Sequence, residues 1–130
     1  MPLVKMEYTS NITFQSHALQ ELFQGLHNVL VDAVGATLSS CKSRACVLND
    51  FYIGDGDPGG GFILLDIRIL IGRSREQRLE LKSKAMRYLS EFLQRGEGVA
   101  LLPCRHLQLR VMVGELDKAY YAMDSMTVLP

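Results

Sequence analysis

Two corners of the sequence gather cations of the kind that hold carboxylates or phosphates. Gly72-Arg73-Ser74-Arg75-Glu76-Gln77-Arg78 falls where a strand should give way to a helix. A helix N-terminus already offers free N–H groups and a partial positive charge, which suit an anion. Cys41-Lys42-Ser43-Arg44 lies at the corresponding point of the first half of the chain, leading into another strand. Together, two such corners can clasp a dianion if the fold turns them toward each other. Spacing alone leaves anion binding and a solvated surface turn equally open. The third feature is Pro2. Removal of the initiator methionine ahead of a small residue would leave a secondary amine at the chain end. An α-amino group titrates at about 7.7–8.0, and burial beside cations lowers that value toward neutrality, which suits a general base. Met-Pro is also a common way to begin a chain, so Pro2 in isolation identifies nothing.

Other chemical patterns fail on context. Gly54-x-Gly56-x-x-Gly59 matches the dinucleotide fingerprint in letters, but Pro58 interrupts it and a strand follows in place of the required helix. It reads as a flexible connection. Asp50, Asp55 and Asp57 lack the spacing of a helix-flanked calcium loop and read as solvated turn residues. His17, His27 and His106 are scattered, and neither a His-Glu-x-x-His nor a Gly-x-Ser-x-Gly string occurs. Cys41, Cys46 and Cys104 form no metal-ligand pattern, and Cys41 and Cys46 read as small buried residues at a strand start.

Periodicity sets out the elements that must position these groups. Leu3 to Tyr8 alternates as a strand with Val4, Met6 and Tyr8 on one face. A helix is expected from about His17 to Val34, N-capped by Ser16 and stopped by Gly35. Its apolar stripe is Leu19, Leu22, Phe23, Leu26, Leu30, Ala33 and Val34. A strand over about Ser43 to Ile53 and a loop over Gly54 to Gly61 follow. Phe62 to Ile71 is the strongest strand, with Ile63, Leu65, Ile67, Ile69 and Ile71 on one face. Ser74 and Gln77 form a capping box for a second helix, whose stripe is Leu81, Ala85, Met86, Leu89, Phe92 and Leu93. A last strand spans about Arg105 to Val113, and Glu115 to Pro130 has no clear period.

The order strand–helix–strand thus occurs twice, over about residues 2–55 and 61–114 with a tail at 115–130, which points to a duplicated βαβ unit within one domain. Such a chain is expected to be α+β (β-α-β-β-α-β), with a four-stranded sheet, two helices on one face and right-handed crossovers joining parallel strand pairs. Phe62, Leu64 and Leu70 on the other face call for a cover, so self-association is expected.

With 130 residues, 14 Lys+Arg against 14 Asp+Glu, and 48% hydrophobic content, the chain suits a single globular domain with no global basic field. Generic nucleic-acid binding is therefore disfavoured. No apolar run reaches the roughly 18 residues of a membrane span, and the N-terminus lacks the pattern of a secretion signal. A reduced, cytoplasmic compartment is expected.

The chain resembles the 5-carboxymethyl-2-hydroxymuconate Δ-isomerase family of the tautomerase superfamily. The similarity runs over nearly the whole length, through Met1-Pro2 and its strand, Ser10-Asn11-Ile12, Leu22-Phe23, Lys42-Ser43-Arg44, and Gly72-Arg73-Ser74 with Glu76 and Arg78. The resemblance implies a tautomerase-like fold and a cofactor-free, metal-free isomerase of aromatic-acid degradation. It implies a homotrimer acting on a small unsaturated dienol carboxylate. It also implies that Pro2 is the base and that Arg73 binds a carboxylate or steadies charge on the substrate's oxygen. Lys42 falls where the family has a second arginine, and Arg44 matches a neighbouring one; with Arg75 they are the candidate substrate-binding cations. Lysine cannot give the two-pronged contact of a guanidinium, which bears on the substrate's identity more than on the reaction class. A non-catalytic, trimeric small-anion-binding or regulatory protein of the same fold is the alternative, and a bare assembly module a third.

Overall fold

A computed structural model describes residues 2–129. Six strands and two long helices appear in the order β1 (Leu3–Thr9), β2 (Thr13–Phe14), α1 (Ser16–Val34), β3 (Lys42–Leu48), β4 (Gly60–Leu70), α2 (Arg75–Arg95), β5 (Val99–Ala100) and β6 (His106–Leu116). Short 3₁₀ turns lie at Leu38–Ser40 and Lys118–Tyr120. The main sheet has the order β3-β1-β4-β6. β1 and β3 are parallel, β4 and β6 are parallel, and the two central strands β1 and β4 are antiparallel. Each half is therefore a βαβ unit, as the periodicity predicts, and the halves meet through the antiparallel β1–β4 pair.

Both helices cover one face of this sheet. Val4 and Met6 of β1 and Ile63, Leu65, Ile67 and Ile69 of β4 are buried against Leu22, Leu26 and Leu30 of α1 and Leu81, Ala85 and Leu89 of α2. Strict alternation in the strands meets three- and four-residue spacing in the helices, so one apolar core forms. Ile71, expected on that face, is 46% exposed, because β4 ends at Leu70 and the chain turns at Gly72 (φ +123).

Several boundaries differ from expectation. α1 begins at Ser16, and Gln15 occupies the N-cap without a side-chain bond. The Ser74–Gln77 capping box is complete in both directions. β3 stops at Leu48, short of Ile53. Gly60 and Gly61, expected in the loop, instead open β4. A Cβ on Gly61 would crowd Cys104 Sγ, Thr9 Oγ1 and Asn11 Oδ1. Those atoms form a buried clamp: Thr9 Oγ1 donates to Asn11 Oδ1 (2.7 Å), and Asn11 Nδ2 donates to the Gly60 carbonyl (2.7 Å). β6 runs on to Leu116 because pairing with β4 continues to Leu70. Cys41 is buried as expected, whereas Cys46 is exposed, since it points to the sheet face that the helices leave bare.

Candidate active site

The strand register decides which chemical groups meet. Leu3 pairs with Lys42 in the parallel β1–β3 ladder, and the Lys42 amide donates to the Pro2 carbonyl at 3.2 Å. Leu3 also pairs with Arg68 in the antiparallel β1–β4 ladder, so β4 leaves the sheet past the point where β1 enters it. The start of β1, the start of β3 and the exit of β4 therefore share one end of the sheet. Pro2, Lys42 and the Gly72-Arg73-Ser74 corner come to that end from three separate parts of the sequence. Pro2 is buried there. Met1, whose removal the sequence leads one to expect, lies outside the described residues.

Each cation at this end has a local anchor. Arg73 is half-buried, and its Nε donates to the Val34 carbonyl at 3.0 Å. Gly35, in the left-handed region (φ +64), lets the Gly35 and Ala36 amides wind back to Val31 and Leu30 at the end of α1. The carbonyl of Val34 is left for Arg73, whose positive charge suits a helix C-terminus. Lys42 Nζ donates to the Ser39 carbonyl at 2.8 Å, which turns its ammonium onto the preceding 3₁₀ turn. Next to it, His27 Nε2 and Ser43 Oγ share a 2.6 Å hydrogen bond between α1 and β3. Burial, and then the Lys42 charge, pushes the His27 imidazole below its ordinary range. Burial likewise pushes the Cys41 thiol up, which keeps it protonated and unreactive.

The remaining cations stand elsewhere. Arg44 is two residues along β3, on the face away from the helices. It borders a hollow of about 220 Å³ with Leu3, Lys5, Asp66 and Arg68. Arg75 opens α2 and lines a separate groove with Arg78, Leu79, Lys82 and Val113, so within one chain it does not join Lys42 and Arg44. A larger hollow of about 400 Å³ lies toward the other end of the outer face. Phe62, Leu64, Tyr52 and Ile53 supply its apolar walls, and Gln108 and Arg110 its polar edge.

Sequence reasoning missed His27, Lys5, Arg68 and Arg110. For the last three a signal was present: they alternate with the buried residues of β1 and β4 and the partly buried ones of β6, which places them on the outer face. His27 carried none, because its partner Ser43 is assigned only by the packing of α1 on β3. No group of three or more His, Cys, Asp or Glu side chains able to hold a metal occurs among the described residues. Nor, among them, is any helix long and apolar enough to cross a membrane.

Comparison with known proteins bears on this arrangement. The sequence profile of the 5-carboxymethyl-2-hydroxymuconate isomerase family matches residues 2–125. No curated protein matches closely enough to count as a relative. Among solved structures, a 5-carboxymethyl-2-hydroxymuconate isomerase from Deinococcus radiodurans R1 superposes with a TM-score of 0.77 at 23% identity, over 96% of this chain and 90% of that one. A 5-carboxymethyl-2-hydroxymuconate delta-isomerase gives 0.75 at 19% identity, over 96% and 89%. A fused 4-OT described as an asymmetric trimer gives 0.66 at 22% identity, over 95% and 94%. At these identities the structures establish a shared tautomerase-like fold.

Proposed function

Since the chain belongs to the 5-carboxymethyl-2-hydroxymuconate isomerase family and is on that ground an isomerase, we propose that it moves a proton within a small unsaturated dienol carboxylate, with Pro2 as the base. One observation carries this reading: Pro2 is buried at the same sheet end as Lys42 and the Arg73 corner. A free imino nitrogen there would be withdrawn from water at the sheet end that Lys42 and Arg73 also reach, and burial and positive charge both favour its neutral form.

In this reading, a processed chain begins at Pro2. The substrate's carboxylates are held by Lys42 and Arg44, and Arg75, which lines a separate groove within one chain, joins them from a neighbouring copy. The neutral Pro2 nitrogen takes the proton of the 2-hydroxyl, and the electron pair moves along the conjugated system. The proton returns to a distant carbon, so an O–H bond is exchanged for a C–H bond and the dienol becomes a conjugated ketone. Charge that develops on the 2-oxygen is met by Arg73, and one well-placed donor contributes about 3 kcal/mol to such a transition state. No cofactor takes part. The second βαβ unit starts inside the chain, where its nitrogen is an amide, so each chain supplies one base. We read residues 1–130 as a single domain of two duplicated halves, 2–55 and 61–114, with a tail. It assembles as a homotrimer, as the fused 4-OT structures do, and serves aromatic-acid breakdown in the cytoplasm.

Pro2→Ala and Arg73→Ala test the reading on protein whose first residue has been identified by mass spectrometry. Ketonisation of a hydroxymuconate is followed by its absorbance. Loss of general-base catalysis typically costs on the order of 10²–10⁴ in rate. Full activity in both variants overturns the assignment.

A further inference from the structure

The tail of the chain and the bare face of the sheet carry complementary chemistry, and we infer that the extended tail of one copy lies across the outer-face hollow of a second copy, with Asp124 meeting Arg110. The inference rests on the self-association proposed above and names the surface that carries part of it. Beyond the turn at Lys118–Tyr120, residues 121–129 form neither helix nor strand. Met123 is 60% exposed, Met126 86%, Val128 83% and Leu129 80%. Scattered exposed apolar side chains are ordinary, but four large ones within seven residues are dense, and in an extended chain Met126 and Val128 share one side while Met123 and Leu129 take the other.

The hollow offers such a segment its counterpart. It holds about 400 Å³ between Tyr52, Ile53, Phe62 and Leu64, with Gln108 and Arg110 at its polar edge. Arg110 is exposed and has no carboxylate within ion-pairing distance among the described residues. Asp124 is the acid within residues 121–129.

Spacing agrees with charge. In an extended chain Asp124, Met126 and Val128 point to one side, at about 6.6–6.8 Å per pair of residues. The outer face repeats at the same interval, because Leu64 pairs with Arg110 and Phe62 with Gln108, two residues back along both strands. With Asp124 at the Leu64–Arg110 rung, Met126 reaches the Phe62–Gln108 rung. Val128 then reaches Ile53, which packs on Gly60 just beyond. Within one chain β6 delivers the tail at Leu116, the end of the sheet away from the hollow, and the tail's apolar side chains remain exposed while the hollow stays open. A second copy is therefore the occupant.

Cross-linking and charge reversal test this together. In a Cys46→Ser background, chains carrying Gln108→Cys are co-expressed with separately tagged chains carrying Met126→Cys. A disulfide-linked heterodimer is expected on a non-reducing gel, well above the yield with Glu91→Cys on the exposed side of α2 as the control partner. Arg110→Glu is expected to weaken self-association at least tenfold by sedimentation, and Arg110→Glu with Asp124→Arg to restore it. Equal or absent cross-linking in the two pairings, or association indifferent to both charge changes, overturns the docking while leaving the assembly intact. A wild-type chain that sediments as a monomer at all concentrations overturns the assembly as well.

Discussion

The side chain of Arg73 closes the end of the helix in the other half of the molecule, its Nε donating to the Val34 carbonyl at 3.0 Å. This bond ties the corner after β4 to the end of α1 and fixes one side of the guanidinium. In the mechanism proposed above, helix capping and anion binding would use different edges of one group.

Arg73→Ala should therefore show two separate losses. Removing the bond to Val34 should cost about 1 kcal/mol of stability, seen in thermal or urea unfolding. Removing the cation should lower kcat/KM by on the order of 10²–10³, seen in steady-state ketonisation. Arg73→Lys keeps the charge without the fork, and should regain less than full activity. A variant that loses stability but no activity would reduce Arg73 to a helix cap.

His27 sets a pH dependence. Its folded pKa lies below the unfolded value of about 6.5, through burial first and Lys42 second, so the unfolded chain binds the proton more readily. The stability linked to His27 is complete above about pH 6.5 and declines as pH falls from there through the folded pKa. Urea unfolding at pH 5 and pH 7.5 should show this slope, and His27→Gln should flatten it. An unchanged slope in the variant would locate the dependence elsewhere.

Gly25 marks the crossing of the two helices. A Cβ there would fall on the ring and hydroxyl of Tyr88, whose hydroxyl donates to the Glu21 carbonyl at 3.2 Å. Gly25→Ala should destabilise by about 1–3 kcal/mol through overpacking, against its helix-propensity gain. Adding Tyr88→Leu should recover part of the loss in calorimetry, because the obstruction is removed.

Thr9 is a fully buried polar side chain. Besides donating to Asn11, its hydroxyl accepts from the Phe62 amide at 3.2 Å. Thr9→Val should cost about 1–3 kcal/mol, since the Asn11 oxygen and the Phe62 amide lose a partner out of water. Denaturant midpoints measure it. The same clamp gives Ser10-Asn11-Ile12 a structural meaning: Asn11 holds the Gly60 carbonyl at the start of β4, and Ile12 is buried.

Much of this molecule is written locally. Alternation in residues 62–70, the three- and four-residue spacing of Leu22, Leu26 and Leu30, and the Ser74–Gln77 capping box depend on neighbours in sequence, so the four main strands, the two helices, their order and the helix-covered face could be read directly, whereas the short β2–β5 pair could not. Where expectation and structure part, a distant partner intervenes. Gly60 and Gly61 belong to β4 because Asn11 and Thr9 reach them, and β6 extends to Leu116 because β4 stays alongside it.

From the sequence alone followed the chemical inventory: an imino acid directly after Met1, two cationic corners and a twofold βαβ pattern. Tertiary structure alone decided that Pro2, Lys42 and Arg73 share one end of the sheet, that Arg75 stands apart, and that Arg110 faces a hollow. The reason is physical: periodicity reports which side of its own element a residue occupies, whereas the register between strands, set by long-range hydrogen bonds and core packing, determines which elements lie beside it.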